Sequence, residues 1–324
     1  MTPVRGVVIG GTGGVWQVRT DAGETVSASM RGRLKKSNSG KRADGSLRRD
    51  TIAAARATLK LSVGDDVLLE TGERGDGWAI AEILPRRSRL ARRMPGGGQG
   101  ERIVAANVDQ VVVVFAAAKP EPHPRMLDRF LVIAEGNDLS ARIVINKVEL
   151  VSEVEAHERF KPYEHAGYPV FHTSVKSAIG LDALRAVLAG RRSVFTGPSG
   201  VGKSSLLNAL FPGANLRVGA ISESVNKGRH TTVGAVMLPL PGNDGGYVVD
   251  TPGLREVGLW DLPTAQLDWC FPEMRAHRDA CRFADCRHVA EPDCGVREAV
   301  RTGGVSEARY DSYVRLLEEM QPQR

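Results

Sequence analysis

Residues Gly197-Pro198-Ser199-Gly200-Val201-Gly202-Lys203-Ser204-Ser205 combine closely spaced glycines with one lysine and adjoining hydroxyls. Glycine lets the backbone turn its N–H groups inward toward an anion where a side chain would stand in the way. Ser193-Val194-Phe195-Thr196 ahead of the run reads as a strand, and residues 204–210 behind it read as a helix. That joint sets a helix N-terminus, with its partial positive charge, against the same anion. Lys203 then reaches the β- and γ-phosphates of a nucleotide, and the Ser204 hydroxyl ligates Mg²⁺. Loops of this kind serve ATPases, kinases and GTPases alike, so the base is chosen elsewhere.

Arg142-Ile143-Val144-Ile145 ends in Asn146-Lys147-Val148-Glu149. The tetrapeptide resembles the Asn-Lys-x-Asp turn of GTPases, whose carboxylate accepts from guanine N1–H and the 2-amino group. Adenine offers neither donor on that edge, so such a site is left with an unpaired acceptor when ATP binds. Glu149 keeps the acceptor and lengthens its stem by one methylene. Thr173-Ser174-Val175-Lys176 ends another strand candidate and resembles the second base-contacting loop, with Ser174 and Val175 as its candidate contacts.

Asp250-Thr251-Pro252-Gly253 follows the apolar segment 247–249. It resembles a third GTPase motif, in which the aspartate reaches Mg²⁺ through water and the glycine N–H senses the γ-phosphate. Asn226-Lys227-Gly228-Arg229-His230-Thr231-Thr232 lies where a first switch belongs. Thr231 or Thr232 is the second protein oxygen for Mg²⁺, and Thr232 is taken with Ser204 as the magnesium pair. Leu254 stands where many GTPases carry the glutamine that orients the attacking water. An apolar side chain cannot do this, so slow hydrolysis is expected until a partner completes the site. His230 is the candidate replacement, set against an ordinary solvent-exposed loop histidine. The candidate catalytic set is therefore His230, Thr231, Thr232, Asp250 and Gly253.

The order of these motifs is unusual. An ordinary GTPase runs from phosphate loop through switch threonine and Asp-x-x-Gly to Asn-Lys-x-Asp. Here the base motifs at 146–149 and 173–175 come first. A circularly permuted sheet rebuilds the same site, because domain termini often lie close together and loops tolerate new ends. Permutation also sends the switch beginning at Asp250 directly into the C-terminal residues 259–324, so loss of the γ-phosphate is expected to reorient them.

Cys281-x4-Cys286-x-His288-x5-Cys294 supplies three thiolates and one imidazole, a tetrahedral Zn²⁺ set with no position left for a catalytic water. Cys270 and His277 are lower-ranked competitors. Four cysteines give no sign of a disulfide framework.

These motifs need a scaffold, and 324 residues fit two or three domains. Residues 1–93 read as short strands at 4–9, 15–19, 67–70 and 78–84 broken by glycine, which suggests a small barrel. The first hundred residues hold 18 Lys/Arg against 10 Asp/Glu, whereas the rest of the chain is slightly acidic. A surplus confined to one domain fits a partner made of phosphates, or simply a soluble basic domain. The Pro/Gly-rich stretch at 94–101 reads as a linker. From 102 to 258, apolar strands alternate with helices at 125–135, 181–188 and 204–210, the pattern of a parallel sheet covered on both faces. Residues 259–324 form a helical, metal-binding third unit. The longest apolar run, 111–118, is too short to span a membrane, and with no export signal a cytoplasmic protein is expected.

Taken together, the chain resembles the circularly permuted, ribosome-small-subunit-dependent GTPases of bacteria (RsgA type). The likeness rests on Ala105-Ala106-Asn107-Val108-Asp109-Gln110, Leu127-Asp128-Arg129-Phe130-Leu131, the Asn146 turn, the phosphate loop, 228–232, 250–253 and the Cys/His set. It implies a multi-domain α/β protein: an OB-type β-barrel, a permuted P-loop GTPase domain and a helical zinc-binding domain. It further implies late maturation of the small (30S) ribosomal subunit, GTP and GDP as ligands, Mg²⁺, one structural Zn²⁺, and hydrolysis stimulated by the subunit. On that reading Arg31, Arg33, Lys35, Lys36, Arg48 and Arg49 are candidates for ribosomal RNA contacts in an otherwise monomeric protein. Competing readings are an RNA-binding scaffold with nucleotide as a structural ligand, and a P-loop ATPase or kinase.

Overall fold

The N-terminal alternation of apolar and polar residues closes on itself. The computed structural model describes residues 3–31, 60–71, 77–93, 101–212, 235–241, 245–250 and 262–321. Strands β1 (Val4–Thr12), β2 (Val15–Thr20), β3 (Thr25–Met30), β4 (Asp66–Thr71) and β5 (Trp78–Ile83) form a closed barrel in the order β1-β2-β3-β5-β4. β3 and β5 pair in parallel and the other neighbours antiparallel, as in an OB barrel. Val8, Val18, Ala28, Val67, Leu69 and Ile80 fill it. β3 escaped the sequence reading because Thr25-Val26-Ser27-Ala28-Ser29-Met30 buries only Ala28 fully.

The expected linker at 94–101 lies between two paired strands, and its last residue, Glu101, belongs to the second of them. β6 (Arg89–Arg93) and β7 (Glu101–Ala106) are antiparallel, with Arg93 opposite Glu101. The glycine-rich stretch therefore joins the two arms of one hairpin, and Glu101 is a strand residue; residues 94–100 themselves lie outside the described residues.

The second sheet has the order β10-β9-β8-β11-β13-β12, with β8 (Gln110–Ala116), β9 (Ser140–Asn146), β10 (Val170–His172), β11 (Arg192–Thr196), β12 (Val236–Pro239) and β13 (Tyr247–Asp250). All neighbours are parallel except β12, which pairs antiparallel with β13 at the edge. The sheet is thus mostly, not wholly, parallel. Every residue of β8 is buried, and alternate residues serve two cores. Val111, Val113 and Phe115 face α1 (Pro124–Glu135), through Leu127, Phe130 and Leu131. Val112, Val114 and Ala116 share the other core with Leu184 and Leu188 of α3 (Leu181–Leu188) and Leu206, Leu207 and Leu210 of α4 (Lys203–Leu210). Between β9 and β10 runs α2 (Glu153–His165), capped by the Ser152 hydroxyl on the Glu155 N–H.

Barrel and sheet meet through polar groups. Gly64 has φ +90° and a side chain there would meet the Ala106 carbonyl at 2.0 Å, so only glycine fits. Asn107 donates to the Gly64 carbonyl, and Arg192 donates to the same oxygen and to Asp66 at 2.7 Å. Arg86 makes a buried two-pronged ion pair with Asp65, and Arg87 pairs with Asp109. Part of the basic run at 86–93 is therefore spent on this joint. Beyond the sheet, α5 (Gly295–Thr302) and α6 (Glu307–Glu319) form the C-terminal unit, and α6 packs against α1. No helix among the described residues is long and apolar enough to cross a membrane.

Candidate nucleotide and metal sites

The motifs converge because they all leave the same edge of the sheet. Asn146 ends β9, Ser174 follows β10, Gly197 follows β11 and Asp250 ends β13. β8 is flanked by β9, which follows it, and by β11, which comes much later in the chain. Such a reversal of strand order opens a crevice at the carboxyl ends, where α/β sheets bind ligands.

The phosphate loop occupies that crevice. Gly197, Gly200 and Gly202 have φ of +135°, +77° and +94°. A side chain at Gly197 would meet the Val114 carbonyl at 2.0 Å, and one at Gly202 would meet Asn146 Nδ2 at 2.6 Å. The loop thus lies directly on the end of β8 and on the base turn. Pro198, Ser199 and Val201 complete it, Val201 being buried. Lys203, Ser204 and Ser205 form the first turn of α4, with Lys203 and Ser204 buried. Lys203 Nζ donates to the carbonyls of Gly197 at 2.9 Å and Pro198 at 2.6 Å, which holds its ammonium against the loop.

Asn146 ties loop, turn and second base loop together. Its buried Nδ2 donates to the Val201 carbonyl at 2.9 Å, and its Oδ1 accepts from the Thr173 hydroxyl at 3.3 Å. Lys147 has φ +62°, and its ammonium donates to the Gly200 carbonyl at 2.6 Å and to the Lys119 carbonyl. Val148–Leu150 forms one 3₁₀ turn, with the Val148 N–H on the Thr173 carbonyl. Glu149 Oε2 is buried without a hydrogen-bond partner. Such an atom needs an explanation, and the two N–H donors on the guanine edge fit a lone carboxylate oxygen at this turn. Ser174 is buried and its hydroxyl accepts from the Ser177 N–H, while Val175 packs on the α3/α4 core.

His230, Thr231, Thr232 and Gly253 lie outside the described residues, as does Leu254. The backbone of Asp250 continues β13 opposite Val236, but its side chain falls outside the description. Of the magnesium pair, only Ser204 is placed. Arg33, Lys35, Lys36, Arg48 and Arg49 also lie outside, and Arg31 is ion-paired with Glu70.

At the other end of the chain, Cys281, Cys286, His288 and Cys294 bring one ligand atom each to within 4.8 Å of the others. Cys281 Sγ lies 3.5 Å from His288 Nδ1, and Nδ1 lies 3.4 Å from Cys294 Sγ. Three sulfurs and one nitrogen so arranged fit a tetrahedral Zn²⁺ by both chemistry and spacing. Cys294 caps α5, its sulfur accepting from the Arg297 N–H at 3.5 Å. Burial alone would push the Cys294 thiol up, but that N–H, the His288 ring and the neighbouring thiols hold it below its usual value. Cys270 is absent from the group: it is buried beside Gly136, donates to the Gln266 carbonyl at 3.5 Å, and burial pushes its thiol up to about 12. His277 contributes its carbonyl, which faces Cys281 Sγ and Gly295.

Sequence reasoning missed the residues that hold this group in place. Asp268 Oδ2 lies 3.3 Å from His288 Nε2, which leaves Nδ1 free to ligate. Asp268 is itself ion-paired with Arg278 at 2.6 Å. The Tyr310 and Tyr313 hydroxyls of α6 donate at 2.7 Å to the His288 and Arg287 carbonyls. Glu291 accepts from the N–H groups of Arg287, Val289 and Ala290; against its slight burial, these bonds hold its carboxyl down at about 2.

Comparison with known proteins agrees with this geometry. A family profile described as RsgA GTPase matches residues 83–260. A small ribosomal subunit biogenesis GTPase RsgA of Gemmatimonas aurantiaca is 58% identical over 320 residues, covering 98% of each chain. Its namesake in Bacteroides fragilis is 36% identical over 319 residues, covering 98% of this chain and 97% of its own. Among solved structures, YjeQ from Thermotoga maritima superposes with a TM-score of 0.76 at 33% identity, with both chains wholly covered. YloQ, described as a circularly permuted GTPase, gives 0.72 at 27% identity, covering 100% of this chain and 98% of its own.

Proposed function

This chain belongs to the RsgA family of GTPases, so its reaction is hydrolysis of GTP to GDP and phosphate, and we propose that it performs that reaction on the small ribosomal subunit, as a factor in the subunit's late maturation. One observation carries the reading: Asn146 couples the phosphate loop to a turn bearing the unpartnered Glu149 acceptor, in a chain whose relatives are named for small-subunit biogenesis.

In this reading Asn146, Lys147, Val148 and Glu149 hold guanine with help from Ser174 and Val175, and the N–H groups of Gly197 through Ser205 cradle the phosphates. Lys203 neutralises charge on the β- and γ-oxygens. Ser204 and Thr232 hold Mg²⁺, with Asp250 acting through water; the ion, when bound, offsets the charge that develops on the phosphates. Gly253 senses the γ-phosphate, and His230 orients water in place of the glutamine that Leu254 replaces, with Thr231 beside it. Cys281, Cys286, His288 and Cys294 hold one structural Zn²⁺. The barrel's basic surplus, including Arg33, Lys35, Lys36, Arg48 and Arg49, meets ribosomal RNA phosphates. The protein acts as a cytoplasmic monomer.

Co-sedimentation with purified ribosomal subunits tests the partner. Retention on small but not large subunits, stronger with a non-hydrolysable GTP analogue than with GDP, is expected. Retention should fall steeply with salt, because each neutralised phosphate releases a counterion. Equal retention on large subunits, or a flat salt dependence, would overturn the assignment.

A further inference from the structure

His157, Glu164 and His172 stand apart from both sites described above. A ring nitrogen from each histidine and a carboxylate oxygen of Glu164 all lie within 4.8 Å of one another. His157 and Glu164 are seven residues apart on α2, two turns along one face. His172 ends β10, the strand against which α2 packs. The two imidazole rings are 4.1 Å apart between centroids, with planes inclined at 35°. His172 Nε2 lies 3.3 Å from the Ala156 carbonyl. A carbonyl only accepts, so the neutral ring carries its proton on Nε2 and keeps the Nδ1 lone pair free. A backbone acceptor that fixes the tautomer is how proteins prepare an imidazole for a metal. Asp268 plays the same part for His288 in the cysteine cluster.

We propose that His157, Glu164 and His172 form an exchangeable site for a borderline divalent transition ion, with Zn²⁺ as its test ion. Two imidazoles and one carboxylate are the donor set that suits such ions, and three protein ligands leave a position for water or for a group from a partner. Ligand atoms around tetrahedral zinc lie about 3.3 Å apart, given bonds of about 2.0–2.1 Å, so the group must draw inward on binding. His157 and Glu164 are exposed, and their rotation displaces only water. Exposure, and the lack of a thiolate, make the site labile where the cysteine cluster is not. His172 also directly precedes Thr173, whose hydroxyl meets Asn146, so the ion would sit on the strand end that leads to the second base loop.

Calorimetric titration of Zn²⁺ into the full-length protein, carrying whatever metal its cysteine cluster retains through brief dialysis against a weak chelator, tests the site. One further equivalent of uptake is expected in the wild type. His157→Ala and Glu164→Gln each alter an exposed side chain; the first also removes the ring beside His172, and the second keeps both rings in place. Both variants should weaken that uptake more than about tenfold while the circular dichroism spectrum and unfolding temperature stay at wild-type values. No uptake beyond the cluster's own metal, or the same uptake in wild type and both variants, would overturn the proposal.

Discussion

Lys203→Ala is expected to lower subunit-stimulated GTP turnover by about two to three orders of magnitude while leaving thermal unfolding near wild type. The lysine is buried at the first turn of α4, and its ammonium is held by the carbonyls of Gly197 and Pro198. No other lysine or arginine belongs to the phosphate loop. With the ammonium gone, charge on the β- and γ-oxygens is met by backbone N–H groups and Mg²⁺ alone. The carbonyls of Gly197 and Pro198 that it leaves behind are met by water entering the vacated space, so folding is spared. Lys203→Arg should fare little better, because a planar fork does not fit a pocket shaped around a point charge. Phosphate release under single-turnover conditions measures the effect; a near-wild-type rate in Lys203→Ala would remove the lysine from the reaction.

The largest expected effect on stability lies far from the phosphates. Arg309 of α6 is wholly buried and donates to Asp128 of α1 and to both carboxylate oxygens of Glu273, at 2.7 and 3.2 Å. The rings of Phe271, Tyr163 and Tyr168 surround its guanidinium at 4.6, 5.3 and 5.7 Å. Burial pushes the Asp128 carboxyl above its usual range, and Arg309 is the main group opposing that rise. Arg309→Ala strands two carboxylates in a dry site, and a broken buried pair costs about 3–5 kcal/mol. Denaturant unfolding should show an early transition confined to the C-terminal unit, read through Trp269. A loss below about 1 kcal/mol would mean that α6 is held by other contacts. The position matters beyond stability, because α6, α1 and Pro198–Ser199 wall a cavity of about 520 Å³ beside the phosphate loop. Loosening α6 therefore alters the flank of the nucleotide site.

What was legible in the sequence follows from how local the signals are. The phosphate loop, the Asn146 turn and the Cys/His set are short runs whose chemistry depends on nearest neighbours, so they could be read directly. Motif order alone indicated permutation, and the strand order β10-β9-β8-β11-β13-β12 agrees with it. Helix α2 escaped notice because its surface is polar almost all round and it carries Pro162, a residue that reads as a helix breaker, inside it; only Ala156, Phe160 and Tyr163, one stripe, are buried. The hairpin β6–β7 was hidden by the glycine-rich stretch between its arms, which by composition alone looks like a linker. Asp128, Glu273 and Arg309 are brought together from three distant parts of the chain, which no spacing rule reveals. One clue was available, a single aspartate inside the apolar helical stretch around Leu127 and Leu131. Asp268 gave none, since its partner His288 is twenty residues away.

Multiple-turnover GTP hydrolysis by the full-length protein, with and without purified small ribosomal subunits, tests the central claim most directly. With Leu254 where a water-orienting glutamine would stand, slow turnover by the free protein is expected, rising by orders of magnitude on addition of small subunits and not of large ones. Equal rates in both conditions would contradict a hydrolase gated by the subunit, and preference for ATP over GTP would contradict the guanine site at Asn146 and Glu149.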